Sequence, residues 1–219
     1  MGKFVFTYWD LRGIAEPARM LLEYGGIEYE DRRMSVSDHP KWLVEKFSLG
    51  LDFPNLPYII DGDVKLSESW AIYRYIGKKI SLFPASEEDQ RHSDMLQGVI
   101  NDIRVGLIRF MYDADLYKKI DELRKNQSEK VDLIEKYLKG RKFLIGNDLS
   151  YLDFALFETF DQHRLFFTDI FDQSPNIQNY MERFESLPPI ANYLSSSRYK
   201  FPITAPMATW GGQKENDRK

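Results

Sequence analysis

Every strand signal in the chain falls before residue 80, and beyond that point the pattern is helical. A sheet can therefore form only from the early residues, and the helices must pack on one another and against it. Phe4 to Trp9 is an aromatic and β-branched run with alternating faces, followed by Arg12-Gly13 and a helical pattern from Pro17, suited to a first turn, through Tyr24. Gly25-Gly26 stops that helix, and Ile27–Met34 reads as a second strand whose charges place it near a sheet edge. Lys41–Phe47 is a short helical stretch. The run Asp52-Phe53-Pro54-Asn55-Leu56-Pro57 is a rigid loop, and Tyr58–Ile60 and Val64–Leu66 flank Asp61-Gly62-Asp63 as a hairpin. Ser67-Glu68-Ser69 then leads into a helix with Ile72, Tyr75 and Ile76 on one face.

The order βαβ, α, ββ, α fills residues 1–79, and residues 80–86 read as a linker. Ser86 opens the helical part as an N-cap, with Glu87, Glu88 and Asp89 in the first turn where the dipole favours negative charge. The expected helices are Glu87–Tyr112, Ile120–Lys139, Tyr151–Phe166, Pro175–Ser186 and Pro189–Ser196, within a helical domain over 87–210. A frayed tail is expected over 211–219. Ser150-x-x-Asp153 has the form of a capping box with Asp for the usual Glu, and Leu149 and Phe154 occupy the places of a hydrophobic staple.

Composition narrows the chemistry. At 219 residues the chain can bury a full core without cross-links, and its lack of cysteine removes disulfides, thiolate metal cages and cysteine nucleophiles. Any sulfur chemistry must use a thiol that a ligand brings. A net charge of −4 offers no basic field for a phosphate backbone, so no nucleic acid partner is expected. No apolar run approaches the ~20 residues that span a bilayer, and the start lacks the layout of a secretory signal, so the expectation is a cytoplasmic protein. His39, His92 and His163 show no ligand spacing and Asp61-Gly62-Asp63 suits a turn, so no metal is expected. Hydrolase and nucleotide-binding signatures are absent.

Five stretches, taken in order, resemble the mu class of cytosolic glutathione S-transferases. They are Tyr8 to Gly13, Glu45 to Tyr58, Ser150 to Phe154, Asp161 to Arg164 and Met207 to Gly211. The resemblance implies a thioredoxin-like N-terminal domain (βαβ-α-ββα) followed by an all-helical C-terminal domain. It also implies a homodimer that joins glutathione to hydrophobic electrophiles in detoxification. A free thiol of pKa ~8.5 is only a few per cent ionised at neutral pH, yet the thiolate is the nucleophile. In the resemblance Tyr8 supplies the remedy, since a neutral phenol of pKa ~10 can donate to the glutathione sulfur and favour its anion. From position alone Tyr8 would be an ordinary strand aromatic.

The remaining roles come from the same resemblance. Leu56-Pro57 matches a cis proline segment next to Asn55, leaving the Leu56 backbone free to pair with the cysteinyl unit; read alone it is a turn. Ser69 matches a serine at a helix start that receives the γ-glutamyl carboxylate, and Glu68 stands where mu relatives usually carry Gln; an isolated Ser there would be a routine cap. Trp42 and Lys46, four apart on one helical face, would reach the glycyl carboxylate, and Trp9 and Ile14 would border the sulfur. Asp102 would serve the γ-glutamyl end from the neighbouring subunit. The segment 34–40 is shorter than the corresponding mu loop and lacks an obvious counterpart of its basic residue.

On the acceptor side, Tyr112 would donate to a developing oxyanion, with Val105, Ile108 and Met207 lining the pocket; a stripe such as Val105, Ile108 and Tyr112 also suits a core. Phe53 resembles the aromatic key that enters a second subunit, or else packs within its own chain. Two other readings share the fold. One is a glutathione-dependent isomerase or peroxidase, and the other is a non-catalytic carrier of apolar ligands.

Overall fold

The structure is a computed structural model that describes residues 3–199 and 202–212. Its sheet has four strands in the order β2-β1-β3-β4. The apolar run at the start becomes the inner strand β1 (Phe4–Trp9), buried along nearly its whole length. Strand β2 (Tyr29–Met34) lies parallel to β1 at one edge, where its charged side chains stay half in water, and begins two residues later than Ile27. Strand β3 (Tyr58–Asp61) runs antiparallel to β1, and β4 (Val64–Ser67) closes the hairpin with Asp61 opposite Val64. Gly62 turns that hairpin at φ +61°, a region glycine enters without a Cβ penalty.

Helix α1 (Glu16–Tyr24) connects β1 to β2, and α3 (Ser69–Lys79) follows β4. The stretch expected as one helix over Lys41–Phe47 is instead α2 (His39–Glu45) followed by a 3-10 turn at Lys46–Ser48. The other helices are α4 (Glu87–Met111), α5 (Ile120–Leu138), α6 (Tyr151–Phe166), α7 (Pro175–Glu185) and α8 (Pro188–Leu194), each within two residues of its expected bounds.

Helix α6 is the centre of the molecule, with every residue from Tyr151 to His163 buried. Phe157 stacks on Phe184 of α7 at 4.5 Å, and Phe154 meets Tyr24 of α1 edge-on at 5.5 Å. Helix α1 packs against α3, α6 and α8, so the sheet-bearing part and the helices share one continuous core. An apolar interface of that kind holds the two parts in fixed relation.

The Asp153 carboxylate accepts from Ser150 N at 2.8 Å, Ser150 Oγ at 2.9 Å and Leu144 N at 2.9 Å, which starts α6 and pins the preceding loop. At the linker, Leu82 donates to Gly77 and its carbonyl accepts from Tyr151 N at 3.1 Å, joining α3 to the start of α6.

The chain end corrects an expectation. Gly211 and Gly212 are buried, and the Gly211 carbonyl accepts from Ile203 and Thr204, so the ordered backbone continues two residues into the tail read as frayed. Residues 213–219 lie outside the described residues. Trp210 and Ile203 form a second apolar cluster with Leu107, Met111, Leu116, Leu123 and Phe167.

Candidate active site

Strand register assembles the site. Thr7 faces Tyr58 across the β1–β3 ladder, and Tyr58 faces Ser67 across β3–β4. Tyr8, Pro57 and Glu68, each one residue away from that row, therefore lie at the same end of the sheet. Tyr8 is buried, and burial pushes its hydroxyl up to about 12, against the pull of the Ile14 backbone N–H and the charges of Arg19 and Arg104. It is thus a neutral donor at physiological pH. Gly13 lies against it: a Cβ there would stand 2.9 Å from the hydroxyl, and the glycine φ is +47°. The Ile14 carbonyl accepts from the buried Tyr73 hydroxyl, which fixes the loop after β1.

The Leu56-Pro57 bond is cis. The Leu56 N–H donates to Asn55 Oδ1 at 2.9 Å. Asn55 Nδ2 donates in turn to Glu68 Oε1 at 3.4 Å. A peptide that pairs with the Leu56 N–H takes the place of the Asn55 side chain on it. Glu68 holds φ +70°, a conformation a non-glycine residue keeps only when its surroundings impose it, and such strain concentrates at ligand sites. Ser69 is buried in the first turn of α3, four residues before Tyr73, whose phenol it faces.

Trp42 is buried, stacked on Tyr58 at 5.9 Å with an interplanar angle of 8°. The Lys46 N–H donates to the Trp42 carbonyl, keeping the two on one face although the α-helix ends between them, and the Lys46 ammonium lies 5.0 Å over the Phe47 ring.

A cleft of about 430 Å³ opens beside Trp9, lined by Trp9, Val36, His39, Ala205 and Met207. Trp9 and His39 rings lie 6.0 Å apart. Tyr112, at the end of α4, accepts from Ala205 N–H at 3.0 Å, and its phenol is close enough to Tyr8 to raise that group further. Val105 is half-buried on α4, while Ile108 packs against the second apolar cluster. Asp102 is exposed on α4, its carbonyl accepting from Lys130 at 2.9 Å.

Phe53 is 76% exposed, so it does not pack within its own chain. Among the described residues no group of three or more His, Asp or Glu is placed to hold a metal ion.

Three residues escaped the sequence reading. Arg104 directs its charge at Tyr8 and Tyr73 and donates to Asn101 Oδ1 at 2.9 Å; its place in the helical stripe of Val105 and Ile108 was read for apolar residues only. His39 was weighed only as a metal ligand, whereas a cleft wall needs no ligand spacing. Arg12 stands in the sequence only as a member of the Tyr8–Gly13 stretch with no role of its own, although it is buried and ion-paired.

Known proteins resemble the chain along nearly its whole length. The model of the glutathione S-transferase N-terminal domain matches residues 4–78, and that of the C-terminal domain matches residues 101–197. Glutathione S-transferase Mu 1 of Bos taurus is 40% identical over 215 residues, covering 95% of this chain and 99% of the relative. Glutathione S-transferase Mu 2 of Mus musculus is 42% identical over 209 residues, covering 93% and 96%. The crystal structure of the glutathione S-transferase Blo t 8 superposes with a TM-score of 0.89 at 35% identity, covering 94% of this chain and 99% of that one. A sheet-end tyrosine, a cis proline loop and a helical unit sharing one core thus occur together with nearly full-length similarity, and the chain belongs to the glutathione S-transferase family, in its mu class.

Proposed function

We propose that the Tyr8 hydroxyl donates to the sulfur of glutathione and holds it as thiolate for attack on an apolar electrophile. The protein is a glutathione S-transferase: the thiolate carbon–sulfur bond forms, the leaving group departs with its electron pair, and the thiol proton passes to solvent. The observation that carries the role of Tyr8 is its burial as a protonated phenol at the shared end of β1, β3 and β4. A base would need a depressed pKa, and burial drives this one the other way.

Glutathione extends from this point in both directions. Its cysteinyl unit pairs with Leu56 once Asn55 yields, its γ-glutamyl end meets Glu68 and Ser69, and its glycyl carboxylate reaches Trp42 and Lys46. Ile14 and Trp9 border the sulfur, and Trp9 leads into the acceptor cleft with Met207 at its mouth. Tyr112 stands beside Tyr8 to donate to charge that develops on the acceptor, with Val105 and Ile108 on the same helix. Rate gain comes from holding both reactants together and from thiolate stabilisation. The assay is conjugation of glutathione to a dinitro-substituted aryl halide: turnover supports the assignment, and tight glutathione binding without turnover supports a carrier instead.

The working form is a homodimer, in the cytoplasm where glutathione is the thiol pool, and the conjugation serves detoxification. Phe53 supports the dimer, because burying such a side chain gains about 1.5–3 kcal/mol and a two-fold axis buries it twice. Its seat is the α4–α5 face, where Met95 and Leu133 are 52% and 63% exposed beside a 380 Å³ cleft that includes Tyr137. The same axis brings Asp102 to the partner's γ-glutamyl site. Phe53→Ser is expected to shift the sedimenting species at micromolar concentration from dimer to monomer and to raise the KM for glutathione; an unchanged dimer contradicts the role of Phe53.

A further inference from the structure

We infer that Arg12 is a positioning residue for the Tyr8 hydroxyl, fixing from the helical side the loop that carries that hydroxyl's nearest neighbours. The inference rests on the assignment of Tyr8 to the sulfur. The loop after β1 presents Gly13, packed on the hydroxyl, and Ile14, whose N–H faces the phenolic oxygen. Arg19 holds the beginning of this loop, with Nη1 on the Leu11 carbonyl at 2.9 Å and Nη2 on the Trp9 carbonyl at 3.5 Å. Arg12 and Gly13 are held from elsewhere. Their N–H groups donate to Pro202 O and Ile203 O, both at 2.9 Å.

The Arg12 side chain clamps α6. Its Nε donates to Glu158 Oε1 at 3.0 Å and its Nη2 to Glu158 Oε2 at 2.8 Å, and Nη2 also pairs with Asp161. The two carboxylates are themselves fixed. Glu158 accepts from Gln162 Nε2 at 2.7 Å, while Asp161 accepts from Arg164 Nε and the Tyr199 hydroxyl, both at 2.8 Å. The Tyr199 ring covers the guanidinium at 4.5 Å.

Such a cluster is not needed for cohesion, since α6 is already packed in an apolar core, and a buried ion pair adds little net stability over apolar residues of similar volume. What the planar, two-point fork supplies is orientation, which a lysine ammonium cannot reproduce. Orientation matters here because a displacement of ~1 Å at a reacting group can cost about a hundredfold in rate.

A double-mutant cycle with Arg12→Lys and Tyr8→Phe tests this, read by thiolate absorbance of bound glutathione against pH. Arg12→Lys is expected to raise the thiol pKa by about one unit, from about 6.5 to about 7.5, which lowers the thiolate fraction at pH 7 about threefold. Turnover should fall about threefold at pH 7 and recover above pH ~8.5, with glutathione affinity changed by no more than about threefold. On the Tyr8→Phe background, Arg12→Lys should add nothing to the thiol pKa. Glu158→Gln should shift it in the same direction and serves if Arg12→Lys does not fold. An unchanged thiol pKa in the folded single variant, with loss of thermal stability only, overturns the inference, as does a fully additive double variant. An unshifted pKa in Tyr8→Phe alone overturns the assignment of Tyr8, and the inference with it.

Discussion

Tyr8→Phe is expected to lower turnover at pH 7 by about twenty-five-fold, while the Kd for glutathione rises only about fourfold, the part that linkage to the thiol pKa requires. Phenylalanine keeps the ring and its packing in β1 and removes only the donor. If the hydroxyl lowers the thiol pKa by about two units from ~8.5, about three-quarters of bound glutathione is thiolate at pH 7 in the parent, and about one-thirtieth in the variant. Two units correspond to roughly 2.7 kcal/mol, within the range of a charge-assisted hydrogen bond in a partly dry site. The sign follows from linkage: losing the donor raises the thiol pKa, so activity is lost on the acid side and returns as pH passes the new value. The pH–rate profile should therefore move its midpoint from about 6.5 to about 8.5, with the deficit closing above pH ~9. A loss equal at every pH would mean that Tyr8 acts on something other than ionisation.

The second large effect concerns folding. Asp153→Ala is expected to cost about 4 kcal/mol, because it leaves Ser150 N, Ser150 Oγ and Leu144 N without their acceptor inside the protein. For a chain of 219 residues this corresponds to a fall in Tm of about 10 °C. Ser150→Ala removes one donor and leaves the carboxylate with the other two, so about 1 kcal/mol is expected. Calorimetry of the two variants separates them. A loss under about 1 kcal/mol for Asp153→Ala would show that α6 starts without this carboxylate.

These examples show which features the sequence makes legible. Asp153 was readable because a helix start has a short code, with a capping side chain three residues from its partner and apolar residues on either side. The strand alternation of Phe4–Trp9 and the turn at Gly62 are likewise local, and the structure places them as read. Phe53 could be suspected because a loop between Asp52 and Pro54 gives an aromatic ring no helical neighbours, but its exposure is a fact of packing.

Polar contacts across the core carry no such code. Arg12 and Glu158 are 146 positions apart, and the Tyr193 hydroxyl that donates to Glu16 at 2.5 Å is 177 away. Nothing in the spacing of either pair announces the contact, and a buried arginine reads in sequence as a surface charge. The Asn55 bond to the next residue's N–H was missed for the opposite reason. It is very local, yet an Asn before Leu-Pro suggests a turn whichever way its amide points. The cleft wall at His39 depends on how the shortened 34–40 segment meets the chain end at Ala205 and Met207, which neither segment shows by itself.

The most direct measurement is the distance from the glutathione sulfur to the Tyr8 hydroxyl oxygen in a crystal of the complex. An oxygen–sulfur separation of about 3.2 Å, with the sulfur also open to the cleft beside Trp9, is expected for a hydrogen bond to thiolate. A sulfur more than ~5 Å from that oxygen, or one paired to another donor, would contradict it.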